Sequence, residues 1–195
     1  MRLATFTHGG TTRAGVVVDD EVVDLGPSEM TALLAAGLER VAEAAARARA
    51  RAAEAIAGWV VLNDVSVRDW QLRVPTWTMG KSFDTHGPMG PWIVTADELG
   101  DPHALRLRTW VNGELRQDSS TAQLIFDSFA LVEHLSTAST LEPGDVVATG
   151  TPGGVGMAMS PPRFLVPGDV VRVEIERIGH IENRVVDEPD DTARL

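Results

Sequence analysis

The chain has 195 residues, 44% of them hydrophobic and 23% charged, and its 17 basic and 28 acidic side chains give a formal charge of −11. That composition excludes a disordered tail, and a chain of this length can bury roughly 70% of its extended surface without covalent staples. The acidic balance disfavours a nucleic-acid binder and a protein held on an anionic membrane, since both need a basic face. Cysteine is absent, which removes a disulfide framework, a thiol nucleophile and a Cys-ligated zinc. The opening MRLATFTHGG lacks the apolar core of a signal peptide. The uncharged stretch from Val146 to Pro162 is too rich in Gly and Pro for a membrane helix. A soluble cytoplasmic protein is the expectation.

Short strands are expected at Arg2–Thr7, Gly15–Val18 and Glu21–Leu25, the last two flanking an Asp19-Asp20 turn as a hairpin. Pro27 and Ser28 open a helical stretch, with Ser28 as its N-cap. Val41–Ala55 is mostly alanine, with Arg47, Arg49 and Arg51 at alternate positions. Helix propensity is high there, but a spacing of two puts successive arginines on nearly opposite sides, so no clean apolar stripe forms. This segment reads as a solvated helix or linker. The chain therefore divides into an N-terminal β-hairpin piece (1–27), an Ala/Arg-rich helix or junction (28–57) and a third region (58–195).

From Gly58 the character is β. Trp59–Leu62, Trp92–Thr95, Leu105–Val111, Val146–Thr149 and Val170–Ile175 are rich in Val, Ile, Leu, Thr and Trp. Asn112-Gly113 between Leu105–Val111 and Glu114–Gln117 is a strong two-residue hairpin signal. One helix is expected after Asp127, with Phe129, Val132 and Leu135 on its apolar face. Pro-Gly-Asp-Val-Val occurs at 143–147 and again at 167–171, each reading as a turn that launches a strand. The fold class is mainly β with few helices (α+β), without regular alternation of strand and helix.

Several chemistries are excluded. His8, His86, His103, His134 and His180 show no ligand-pair spacing. Met79-Gly80-Lys81-Ser82 has the end of a phosphate-binding loop, but Pro75 stands where its first glycine is needed. Thr149-Gly150-Thr151-Pro152-Gly153-Gly154-Val155-Gly156 follows an expected strand, yet Ser160-Pro161-Pro162 cannot open a dinucleotide-binding helix. That stretch is either a wide turn or a loop whose N–H groups and Thr151 hydroxyl meet an anionic ligand. Asp64 is a hard oxygen ligand suited to Mg²⁺, although a lone Asp is more often a turn residue. Arg68 beside Asp69 reads as a structural ion pair. Lys81, between Trp77 and Phe83, is either a lysine lying over apolar surface or one placed to stabilise an enolate or carboxylate.

Asn63-Asp64-Val65-Ser66-Val67-Arg68-Asp69, Gly80-Lys81-Ser82-Phe83-Asp84 through Gly87-Pro88-Met89-Gly90-Pro91, Val111-Asn112-Gly113-Glu114-Leu115-Arg116-Gln117 and Thr149-Gly150-Thr151-Pro152 occur in this order. Together they closely resemble the fumarylacetoacetate hydrolase family, including its hydroxyheptadienedioate isomerases and acylpyruvases. The resemblance covers about Ala55 to Val186. It implies a mixed β-sandwich roll, a homodimer, a Mg²⁺ or Mn²⁺ cofactor, and 58–195 as the catalytic domain in partial form. It also implies a small anionic 2-oxo, enol or diketo acid substrate that is hydrolysed at a C–C bond, decarboxylated or isomerised. By motif, Asp64 matches a metal ligand, Lys81 the lysine beside the substrate, and Gln71 and Thr151 substrate-contacting positions.

The resemblance further implies two metal carboxylates on a Glu-x-Glu strand and a His and a Glu that activate water, all placed before the Asn-Asp motif. Here the Ala/Arg-rich stretch fills that interval, and Glu-x-Glu occurs only at Glu174-Ile175-Glu176. Asp64 alone cannot hold the ion. The alternative is therefore a non-catalytic or inactivated member of the fold, acting as a binding or structural dimer.

Overall fold

The computed structural model describes residues 2–8, 11–18, 21–24 and 38–188. The Asp19-Asp20 turn and the helical stretch opened by Pro27 and Ser28 lie outside the described residues. Two compact units are present: Met1–Ile56 with Ser128–Asp145, and Ala57–Asp127 with Val146–Leu195.

In the first unit, β1 (Arg2–His8), β2 (Thr11–Val18) and β3 (Glu21–Asp24) form an antiparallel sheet in that order. Val18 pairs with Glu21, the register that a two-residue connection imposes on the expected hairpin. The alanine-rich segment is one helix, α1 (Leu38–Ala55), which packs against α2 (Ser128–Ala138). Ala52 is buried, and the Arg49 guanidinium lies 5.2 Å from the Phe129 ring centroid.

The second unit carries two antiparallel sheets. β4 (Gly58–Leu62) pairs with β5 (Met89–Thr95), and β6 (Arg106–Val111), β7 (Glu114–Ser120), β8 (Val170–Ile175) and β9 (Gly179–Arg184) are ordered β7-β6-β8-β9. The molecule is mainly β with a few helices, as expected. The Asn112-Gly113 turn has φ of 52° and 80°, the two left-handed residues that match the twist of the flanking strands. Asn112 also ties that turn to the start of β8. Its Nδ2 donates to Asp169 (2.7 Å), and its Oδ1 accepts from the Val170 N–H (2.9 Å).

Alternation puts Val171 and Val173 of β8 into the core with Val61, Val94, Leu99, Leu105 and Ile178. Val61 and Leu99 are fully buried, each worth about 1.5–3 kcal/mol relative to exposure. The opposite face of the four-stranded sheet is charge-paired. Arg106 meets Asp118 at 2.6 Å, while Arg172 (2.8 Å) and Arg108 both donate to Glu174.

The two Pro-Gly-Asp-Val-Val phrases part company. The second turns into β8, whose Val171 finds Val111 and Asn183 on either side. The first leads into irregular chain, and Val146–Thr149 is not a strand. Val146 stays exposed, and no described strand lies beside it to complete a ladder. No helix among the described residues is long and apolar enough to cross a membrane.

Candidate active site

The pairing that starts in β4 and β5 continues beyond both strands. Leu62 faces Met89 at their ends; the Asn63 N–H then bonds the Pro88 carbonyl and the Val65 N–H the His86 carbonyl, both at 3.0 Å. At Val67 the partner changes: its N–H bonds the Gly80 carbonyl at 2.8 Å, so residues 81–85 are looped out. Trp77 (φ 59°) and Thr85 (φ 65°) both take left-handed conformations around this loop, which costs about 1–2 kcal/mol for each non-glycine residue. Strain of that kind concentrates where the surroundings hold a functional conformation.

This geometry brings Asp64 and Lys81 together across 17 positions. The Lys81 ammonium donates to Asp64 Oδ2 and to Ser66 Oγ (3.1 Å). Asp64 and Ser66 share a side because the segment is extended and side chains alternate. Two of the three ammonium N–H bonds are thereby engaged, and the third remains for an incoming acceptor. The pair is about one-third exposed (33% for Lys81, 40% for Asp64), so substrate can reach it. Alongside lie Trp70, Phe83 and His86, with ring centroids 5.6 and 5.5 Å apart in succession.

Gln71 is buried at 4% exposure on the short helical turn Arg68–Gln71. Its Oε1 accepts from Arg68 Nη1 at 2.6 Å, leaving its amide nitrogen to donate. The turn bearing Lys81 rests on Gln71: a Cβ on Gly80 would stand 2.4 Å from the Gln71 nitrogen, so only glycine fits there. The expected Arg68–Asp69 ion pair is not formed. Arg68 orients Gln71, and Asp69 pairs with Arg73 at 3.6 Å, one helical turn on, where the side chains project to the same side.

Thr151 makes no hydrogen bond to this cluster among the described residues; it lies on the glycine-rich loop, which is fastened along β7. Gln117 Nε2 donates to Thr151 Oγ1 and to the Pro152 carbonyl, both at 3.0 Å. Arg116 Nη1 reaches Met159 Sδ at 3.1 Å, and Glu114 holds Arg163 through two bonds of 2.7 and 2.9 Å. That guanidinium, and Arg116 nearby, keep the Glu114 carboxyl below its usual range. Gly154 (φ +103°) lies against β7 so closely that a Cβ would meet the Arg116 carbonyl at 2.1 Å. The stretch is an ordered loop, and its single turn of 3₁₀ helix at Gly156–Ala158 is too short for a dinucleotide fold.

The described residues do not fit a divalent cation. Among the described residues no group of three or more His, Asp or Glu side chains converges, and Asp64 is engaged by Lys81. One carboxylate does not satisfy an ion that takes six oxygens. Glu174 and Glu176, the only Glu-x-Glu, serve other ends: Glu174 binds Arg108 and Arg172, and Glu176 accepts from the Arg106 N–H at 3.0 Å.

Two residues gain importance only here. Ser66 could be anticipated from its spacing of two from Asp64. Gln117 had no local signal, because its partners lie 34 and 35 positions away.

The family model for the fumarylacetoacetate (FAA) hydrolase C-terminal domain matches residues 14–186. The chain belongs to the fumarylacetoacetate hydrolase family. It is 50% identical over 133 residues to the mitochondrial oxaloacetate tautomerase fahd2 of Xenopus laevis, covering 67% of this chain and 42% of that protein. Among solved structures, 5-carboxymethyl-2-hydroxymuconate delta-isomerase from Mycobacterium smegmatis aligns with a TM-score of 0.64 and 46% identity, over 73% of this chain and 53% of that one. Maleylpyruvate hydrolase from Sphingobium sp. SYK-6, in complex with manganese (II) ion and pyruvate, aligns with a TM-score of 0.62 and 40% identity, over 71% and 47%. The chain spans about half the length of the relatives it matches.

Proposed function

We propose that this protein acts on small anionic 2-oxo or enol acids, and that its reaction is proton transfer between the enol oxygen and the adjacent carbon, a tautomerisation or isomerisation. The observation that carries this is the Lys81–Asp64–Ser66 cluster, a proton donor and a proton acceptor in contact with a free N–H beside them. As an enol collapses to the ketone, its O–H proton passes to Asp64 and the carbon gains one from the Lys81 ammonium; transfer back across the Lys81–Asp64 hydrogen bond restores both groups. Lys81 stabilises the negative oxygen between those events, and Asp64 holds the ammonium in place. Gln71 and Thr151 supply further donors for the carboxylate. Hydrolysis and decarboxylation, the other reactions of this substrate class, would draw on the same enolate stabilisation by Lys81; tautomerisation is the one that needs neither a water nucleophile nor a leaving group. Tautomerase and isomerase names occur among the relatives, alongside a hydrolase name.

In this reading Asp64 is the candidate ligand for Mg²⁺ or Mn²⁺ among the described residues, and a single carboxylate does not fit such an ion. The same reading takes the protein as a cytoplasmic homodimer. Trp92 and Ile93, on successive positions of β5, are exposed at 63% and 65% and present apolar surface beside the buried Val94, which supports burial against a second subunit.

Ketonisation of enol-oxaloacetate, followed by loss of the enol absorbance, tests the assignment. A rate above the buffer-catalysed one, abolished with Lys81→Met, supports it. Pyruvate or oxaloacetate binding without acceleration would favour the second reading, a non-catalytic binding member of the fold, for which the absence of a metal-ligand group among the described residues speaks.

A further inference from the structure

We propose that Gln117 is a positioning residue that makes the Thr151 hydroxyl an obligatory hydrogen-bond donor towards an oxygen of the anionic substrate. The inference rests on the substrate reading above, and its foundation is the direction of two hydrogen bonds. Gln117 Nε2 lies 3.0 Å from the Pro152 carbonyl and 3.0 Å from Thr151 Oγ1. A carbonyl can only accept, so the side of the amide facing Pro152 must be the NH₂ group. Both N–H bonds are then spent, one on the carbonyl and one on the hydroxyl, and Thr151 Oγ1 accepts. A hydroxyl that has accepted from a fixed donor keeps one O–H to give. Thr151 is exposed, and among the described residues its hydroxyl donates to no protein acceptor. The proton therefore points to whatever enters.

The surroundings make this orientation a built one. Gln117 is half-buried in β7, whose neighbour Arg116 accepts the close approach of Gly154 through its carbonyl. The same strand holds Met159 through Arg116 and Arg163 through Glu114. Thr151 Oγ1 keeps a second lone pair, but a carboxylate or enolate oxygen carries no proton, so towards it the hydroxyl can only donate, and Gln117 fixes the direction in which that O–H lies. A donor fixed in advance favours a carboxylate or an enolate oxygen over a neutral carbonyl, because bonds to charged acceptors are about twice as strong. The site thereby selects the ionised form of its ligand at a position far in sequence from Lys81.

A double-mutant cycle on the full chain, with pyruvate as probe and isothermal titration as readout, tests the proposal. Thr151→Val removes the donor while keeping shape, and Gln117→Met removes the amide while keeping length. Each is expected to weaken pyruvate binding by roughly tenfold, the size of one hydrogen bond to a charged group. The double variant is expected to be no weaker than Thr151→Val alone, since Gln117 acts only through Thr151. Gln117→Glu, which can only accept from Thr151, is expected to lose more than Gln117→Met. Melting temperature is recorded for all four proteins. If Gln117→Met does not fold, Gln117→Glu and Thr151→Val still decide the matter.

Additive losses, or wild-type binding by Gln117→Met, would overturn the positioning role while leaving the substrate reading intact. A wild-type protein that binds no pyruvate or oxaloacetate would overturn the substrate reading and the positioning role with it.

Discussion

Replacing Lys81 with methionine separates what the Lys81–Asp64 pair does for stability from what it does for chemistry. The pair is 33% and 40% exposed, so screening by water reduces its contribution to folding to the range of surface pairs, about 0–1 kcal/mol. Methionine retains most of the aliphatic stem of the lysine. The melting temperature of Lys81→Met should therefore stay within a few degrees of wild type. The chemical effect should be far larger. A positioned proton donor contributes about 10²–10⁴-fold to rate, and losing it should lower enol-oxaloacetate ketonisation by at least a hundredfold. Lys81→Arg keeps the charge but changes its shape and should recover only part of the rate. The assay is enol decay against the uncatalysed background, paired with thermal unfolding. Undiminished turnover in a folded Lys81→Met protein would refute the role of Lys81. A collapse of folding would instead show that the pair is structural.

Other expectations test the frame around the site. Gly154→Ala must place a Cβ 2.1 Å from the Arg116 carbonyl at a φ of +103°; it should shift the loop, weaken pyruvate binding through Thr151 and destabilise by at least about 1–2 kcal/mol, read by denaturant titration. Leu99→Ala, at a fully buried position, should cost about 2–5 kcal/mol in the same experiment. Arg172 and then Arg108 hold the Glu174 carboxyl below its usual range against the opposing effect of burial, and Arg106 does the same for Asp118. These lowered values add stability above the unfolded carboxylate range, about pH 4, and that stability disappears as pH falls through it and below. Urea midpoints measured from neutral pH down to about 3 should decline, and Glu174→Gln should flatten the decline; an unchanged slope would assign the acid sensitivity to other groups.

What could be read from the sequence was local in cause. Asn112-Gly113 specified a left-handed turn because few other residues tolerate positive φ, and the hairpin β6–β7 followed. Alternation in Val170–Ile175 marked one face for the core, and the ordered motifs identified the family over much of the chain. Identical Pro-Gly-Asp-Val-Val phrases show the limit. One becomes a strand and the other does not, because a strand exists only where neighbours complete its hydrogen bonds, and those neighbours come from distant segments.

The same limit governs the site. Residue types and motif context singled out Asp64, Lys81, Gln71 and Thr151, but not what each one touches. Lys81 meets Asp64 because the β4–β5 ladder extends past its strands and loops out residues 81–85. Thr151 takes its hydrogen-bond direction from Gln117, 34 positions away. Local sequence thus determined the hairpins, the apolar faces and the chemical types available. Only the tertiary structure decided which proton donor faces which acceptor, because hydrogen-bond direction depends on through-space partners within about 3 Å, and nothing along the chain encodes that distance.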